Sequence, residues 1–351
     1  MITSFAAGCV RINVGVAGGA VSSASVACDR PHRVGPMLTR QAPAEIPVIV
    51  GQLFALCSMS QSLAARAALA AAGAAVEPVD RAEAGARLIA ERLVEHVRST
   101  VLGFTDAVPL AASEATAART AFAAGFRLTA GVGSDLADLA HSLDVLGLGT
   151  DVPPSTSWAG RVLAYAAAIE WRDDHTADFL SPDDDAAVVA ALIDKGDAFA
   201  AEPRLAGRRP ETGPYARARG RGLPAAGAGR LAARFAEIAA AVRRLRSPAE
   251  AAEPCLRAER LEAGVGFAAV ESPRGRLHHV AMLNGHGAVA RYVILAPTEW
   301  NFAVEGPFAA ALRGLRLPAG RSVETLAALF DPCVACDVTV RHHAVGDDAY
   351  A

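Results

Sequence analysis

The chain has 351 residues, enough to bury one large core or two smaller ones, and at 52% hydrophobic it lies outside the disordered class. Aromatic residues make up only 5%, and much of the apolar content is alanine, which favours closely packed helices. Lys plus Arg (34) nearly balance Asp plus Glu (37) for a net charge of −3, so no polyanionic partner such as nucleic acid is expected.

In chain order, "VRINVGVAGGAVSSASVAC" alternates apolar and small polar residues on either side of Gly18-Gly19 and predicts a β-hairpin over 9–28. "ASVAC", ending at Cys28, superficially resembles a lipoprotein cleavage site. Arg11 interrupts the apolar stretch and no basic residue precedes it, so it does not read as a signal peptide. No apolar run reaches the about 18 residues of a membrane span. The stretch up to Cys57, punctuated by Pro36, Pro43 and Pro47, reads as a loop. Helical periodicity then covers 58–76, 80–102, 113–126 and 134–147, and another helix runs through Trp171. Residues 181–229 read mostly as loop, including a basic run at 207–222 taken as solvated, and a long amphipathic helix follows at 226–246. From 264 to 302 the texture alternates around Asn284-Gly285, a second hairpin signal. Helices near 306–315 and 322–330 lead into a cysteine pair. The expected architecture is α+β and helix-dominated, a single domain over 1–351. It comprises the N-terminal hairpin, a helical core over 58–246, and a C-terminal hairpin with cysteine motif over 264–340.

Three short stretches carry potential chemistry. "DPCVACDV" places Cys333 and Cys336 at a spacing that can chelate a soft metal, form a redox disulfide or simply bury two apolar thiols. A zinc site would want four ligands, and His342 and His343 lie in what reads as a frayed tail. Cys57 opens a helical pattern and would by itself be a core cysteine; if it meets the C-terminal pair, three thiolates converge on a metal site. "ESPRGRLHH" (271–279) reads as a loop entering a strand, and "LAPTEWNF" (295–302) as a strand end anchored by Trp300. Six unevenly spaced cysteines do not form a disulfide framework, which predicts a reducing, cytoplasmic setting.

The order of these segments resembles the large subunit of nickel–iron hydrogenases, most clearly at 9–70 and 265–340 and more weakly at "ETGPYAR" (211–217). The departures are informative. In that family the first motif is a CxxC followed by a histidine; here those positions are Phe54, Cys57 and Gln61, and the last motif keeps Cys333 and Cys336 but has Thr339 for its histidine. The resemblance implies that the second cysteine of each motif, Cys57 and Cys336, bridges to iron, whereas Cys333 belongs to the nickel side, where Phe54 has replaced its partner. It further implies that Arg274 contacts an iron-bound cyanide and that Thr298 donates a second hydrogen bond there. The pattern is most similar to the HupK-type accessory proteins of hydrogenase maturation. The implied protein has a large-subunit-like fold reduced in size and is not an enzyme. It is a scaffold for an iron fragment carrying cyanide and carbonyl ligands, and nickel is not expected. Its implied partners are other maturation proteins and the hydrogenase large subunit. A metal-free structural or regulatory partner of the assembly machinery is the alternative, and a hydrogenase with an altered centre is disfavoured by Phe54.

Overall fold

Gly18 and Gly19 both hold positive φ (57° and 77°), the backbone that a tight two-residue hairpin turn requires. In the computed structural model, which describes residues 8–29, 34–131, 136–169, 178–218, 226–247, 255–313, 315–316 and 323–343, this turn joins β1 (Cys9–Ala17) to β2 (Ala20–Asp29) as an antiparallel pair. Val10, Ile12, Val14 and Val16 are buried along β1, the period-2 face of a strand packed on one side.

The expected loop before Cys57 instead holds α1 (Val34–Leu38) and α2 (Ile46–Leu53). Pro47 stands in the first turn of α2, where a missing N–H costs nothing, so the proline starts this helix rather than breaking it. A 3-10 turn over Ala55–Cys57 leads into α3 (Ser58–Ala72), which ends at Gly73 in the left-handed region. Then come α4 (Arg81–Phe104), whose first amides are capped by Asp80, α5 (Ala112–Ala130), α6 (Leu136–Leu146) and α7 (Trp158–Ala167), all close to expectation. The helix expected through Trp171 instead ends at Ala167, with Ala168 as its C-cap, and Trp171 itself lies outside the described residues.

The segment 181–229 departs from its reading as loop. It carries α8 (Asp185–Lys195), α9 (Asp197–Ala201) and α10 (Pro214–Arg217) before α11 (Ala226–Arg246). Asp183, Asp184 and Asp185 gather where a helix begins, and there their charge favours the helix. In the described part of the basic run, 207–218, the arginines are paired rather than simply solvated: Arg208 with Asp178 and Asp184, Arg209 with Glu305, and Arg217 with Glu237 and Glu271.

The second hairpin is part of a four-stranded antiparallel sheet of β3 (Leu256–Glu262), β4 (Val265–Ser272), β5 (Gly275–Leu283) and β6 (Val289–Leu295), in chain order. Both of its faces are covered. Ala268, Val270, Leu277 and Ala281 join the main core with α3, while Phe267, Ala269, Val280 and Val293 join a smaller core with Val188, Leu192, Phe199 and Trp300. The chain then forms α12 (Pro297–Asn301), α13 (Pro307–Leu312), α14 (Val323–Phe330) and β7 (Ala335–His343). β7 lies parallel to β1, giving a three-stranded sheet in the order β2-β1-β7. His342 and His343 therefore sit at the end of a strand and not in a frayed tail. Among the described residues no single helix is long and apolar enough to cross a membrane; α2 and the helical stretch after it pass that test only together, across a 110° bend.

Gly266 of β4 lets α3 lie directly on the sheet. A methyl group there would come within 2.6 Å of the Ala71 carbonyl carbon and 2.7 Å of the Ala68 oxygen, both backbone atoms that cannot swing away. Gly266→Ala is expected to cost about 2–3 kcal/mol of stability through this overpacking, measurable by chemical denaturation. An unchanged midpoint would mean that α3 does not sit this close to the sheet.

Candidate functional site

Cys57 is presented by the turn between α2 and α3, where its N–H donates to the Phe54 carbonyl at 3.0 Å. The C-terminal cysteines follow a second turn. α14 stops at Asp331, a non-glycine residue at φ 52°, and Pro332 then leads into Cys333. These two turns, from opposite ends of the chain, face one cavity of about 640 Å³ bordered by Phe54, Cys57, Arg274, Cys333 and Cys336. Phe54 thus borders the same cavity as the three cysteines.

Arg274 is 3% exposed and belongs to the turn between β4 and β5, which Gly275 closes at φ 134° with the Ser272 hydroxyl donating to the Gly275 carbonyl. Its Nη1 donates to the Leu56 carbonyl at 3.2 Å, and its Nη2 to Glu95 at 3.1 Å, with Asp331 at 3.5 Å. Burial works against its charge, but Asp331, Cys333, Glu95 and Cys57 outweigh that and hold its pKa above the usual arginine value. Asp331 is driven the opposite way: burial raises it, and Arg274 and Arg234 bring it below the usual carboxylate range. Thr298 does not stand open at the cavity. Its hydroxyl lies 3.0 Å from the Cys333 sulfur and also accepts the Cys333 N–H. Burial pushes the Cys336 thiol up to about 12, with Cys9 and Glu324 adding to the shift, so it carries its proton at neutral pH.

The segments singled out in the sequence are stitched together behind this wall. Asn301 exchanges two hydrogen bonds with the backbone of Thr212, and the Thr212 hydroxyl accepts the Arg276 N–H. Arg217 donates to the Ser272 and Pro273 carbonyls and to Glu271 and Glu237, so "ETGPYAR" directly supports the turn carrying Arg274. Arg276 links Glu271 to the fully buried Asp185, which also holds His278.

Two further groups act on the Cys57 turn, through contacts the sequence reading did not anticipate. Gln61 donates to the Cys57 sulfur at 3.7 Å, which leaves its carbonyl oxygen to accept from His279 Nε2 at 2.9 Å. His279 Nδ1 is then free to accept the Tyr292 hydroxyl at 2.8 Å. Burial, followed by the neighbouring His278, lowers the His279 pKa to about 3, so the ring is neutral and this single tautomer satisfies the chain. The only available signal was a pair of polar residues, His278 and His279, inside a strand; they point to opposite faces and each finds a partner there. The second group is Glu91 of α4, which accepts the Met59 and Ser60 N–H groups at 2.6 and 3.0 Å and so caps the first turn of α3 from a neighbouring helix.

Among the described residues no three His, Cys, Asp or Glu side chains form a group able to hold a metal ion. The site offers facing thiols, not a ready-made cage.

With this geometry in place, comparisons locate the chain. The family described as Nickel-dependent hydrogenase matches residues 215–339. The hydrogenase expression/formation protein HupK of Rhizobium leguminosarum bv. viciae is 37% identical over 96% of this chain and 98% of its own length. The chain belongs to the HupK family of hydrogenase expression/formation proteins. HupK of Azotobacter vinelandii is 31% identical, over 96% of this chain and 99% of its own. Among solved structures, the Ni-Fe-Se hydrogenase of Desulfomicrobium baculatum superposes with a TM-score of 0.62 at 15% identity, covering 91% of this chain and 95% of that one. The Ni-Fe-Se hydrogenase of Desulfovibrio vulgaris Hildenborough gives 0.60 at 15% identity, over 91% and 94%. This HupK-family chain therefore has the large-subunit fold, as the order of its motifs implied, and is a hydrogenase maturation protein by family.

Burial raises Glu91 from 4.5 to about 7, partly offset by the hydrogen bonds from Ser60 and Met59. The folded chain thus holds this proton more tightly than the unfolded chain. The resulting stability is full below the unfolded value near 4.5 and is lost as pH rises through about 7. Glu91→Gln removes the titration but keeps only one of the two oxygens that accept the Met59 and Ser60 amides. It should flatten stability between pH 4.5 and 7, read from denaturation curves. A variant equally destabilised at pH 5 and pH 8 would contradict this.

Proposed function

We propose that the cavity transiently seats an iron fragment carrying cyanide and carbonyl ligands, as cargo on its way to the hydrogenase large subunit. In this reading Cys57 and Cys336 supply the thiolates and Cys333 lies beside them. One observation carries the reading: thiols from two turns far apart in sequence border one cavity together with a buried arginine and with Phe54. Thiolates suit a low-spin iron, and a fragment that brings its own diatomic ligands needs few donors from the protein. Two anchors are therefore enough, which accords with thiols that face a cavity without forming a three-ligand group. Phe54 offers no donor for a second metal such as nickel. Arg274 would offset the anionic ligands with a planar cation already fixed by Leu56, Glu95 and Asp331. The HupK-family membership supports hydrogenase assembly proteins as partners, and the large subunit as recipient belongs to the proposal.

The lack of a three-ligand group among the described residues also favours a second reading, in which the chain works without metal as a large-subunit-like partner of the assembly machinery. Infrared spectra separate the two, because cyanide and carbonyl stretches fall where protein is silent. Protein purified anaerobically from cells with an intact maturation system should show these bands. Cys57→Ser and Cys336→Ser should lose them and impair maturation, Cys28→Ser and Cys255→Ser should keep them, and Arg274→Lys should weaken them. Full maturation by both Cys57→Ser and Cys336→Ser would leave the metal-free reading standing.

The hydrogen bond from Gln61 adds a finer test. Withdrawing a donor from the Cys57 sulfur makes it a stronger electron donor to iron, which then gives more charge to the carbonyl. Gln61→Leu is expected to move the carbonyl stretch to lower wavenumber while retaining the bands. A shift to higher wavenumber would show that Gln61 does not donate to the ligating sulfur.

A further inference from the structure

Arg274 and Asp331 also border a second, far smaller space of about 20 Å³, shared with Arg230, Arg234, Glu211 and Asn301. That is room for one water-sized guest, since a single water needs about 10–15 Å³ by this measure. The charges around it do not cancel. Arg230 is matched by Glu211, with contacts of 2.8 and 2.5 Å, and stacks over the Phe330 ring. Asp331 remains opposite two guanidiniums, Arg234 and Arg274, which are 1% and 3% exposed. Glu95, the other carboxylate on Arg274, is itself shared with Arg98.

The hydrogen bonds do not close either. Arg234 spends its Nη2 on the Ala328 and Leu329 carbonyls at 3.0 and 3.2 Å. Its Nε and Nη1, and the Nε of Arg274, are buried without an acceptor among the described residues. Donors left this way in a dry interior are costly, and such groups normally find a partner. A water has two lone pairs for these three donors and would bring two protons of its own that need acceptors. An anion accepts from every donor and also cancels the excess charge.

We propose that this space binds one small monovalent anion of about chloride size, held by the N–H groups of Arg234 and Arg274. The bound anion fixes the guanidinium of Arg274 from behind and tempers its field at the thiol cavity. The inference does not depend on whether iron is ever carried, because its donors and space are present in the chain alone.

Crystals of the full chain grown in bromide test it directly through anomalous scattering. The expected result is a bromide peak within hydrogen-bonding distance of Arg234 and Arg274; a space containing only water, or nothing, overturns the proposal. In solution, replacing gluconate by chloride at constant ionic strength should raise Tm saturably by about 2 °C, the size expected for a weak ligand on a chain of this length. Arg234→Met should abolish both the peak and the chloride dependence. An equal chloride effect in that variant, or none in the unmodified chain, also overturns the proposal. If Arg234→Met does not fold, the bromide map of the unmodified chain decides alone.

Discussion

One buried guanidinium holds the functional end of this molecule together. Arg274 reaches the Leu56 carbonyl in the first cysteine turn, Glu95 on α4 and Asp331 in the second cysteine turn. Each contact comes from a different part of the chain, so the relative placement of Cys57 and Cys333 depends on a charge that cannot leave its partners. Removing the arginine would cut all three ties at once and leave Glu95 with Arg98 and Asp331 with Arg234 alone, a change costlier than losing a surface ion pair. The surrounding structure is arranged to keep that turn in place, through Arg217 on its carbonyls, Thr212 on the Arg276 amide and Gly275 in a backbone that a side chain would strain.

The thiols are tuned separately. Cys57 receives a hydrogen bond from Gln61, whose orientation is dictated by His279 and Tyr292. Cys333 touches the Thr298 hydroxyl, and Cys336 is a half-buried thiol whose pKa desolvation raises to about 12. Under the proposed function a metal ligated by Cys336 would displace its proton, which would link occupancy to ionisation of that thiol.

Much of this was legible in the residues. Gly18-Gly19 marked its hairpin, the alanine-rich periodicity marked α3 to α6, and the order of cysteine and arginine motifs pointed to the large-subunit fold. The parallel pairing of β7 with β1 was not legible, because β7 is largely exposed and its partner lies at the other end of the chain. Prolines at helix starts disguised α2 and α10, since the residue that breaks a helix interior is welcome in its first turn. Of the polar support of the site, His279 left only the trace of a histidine pair inside a strand, and Glu91, Glu95 and Tyr292 left no local pattern. These residues acquire meaning only from the partners that folding brings to them.

The proposed function requires that sulfur from this chain ligate iron in the thiol cavity. Iron K-edge X-ray absorption on protein isolated anaerobically from hydrogenase-producing cells tests that most directly. The expected result is stoichiometric iron with two sulfur neighbours and a short shell of carbon. Protein that supports maturation yet carries no iron, or iron surrounded only by oxygen and nitrogen, would contradict it.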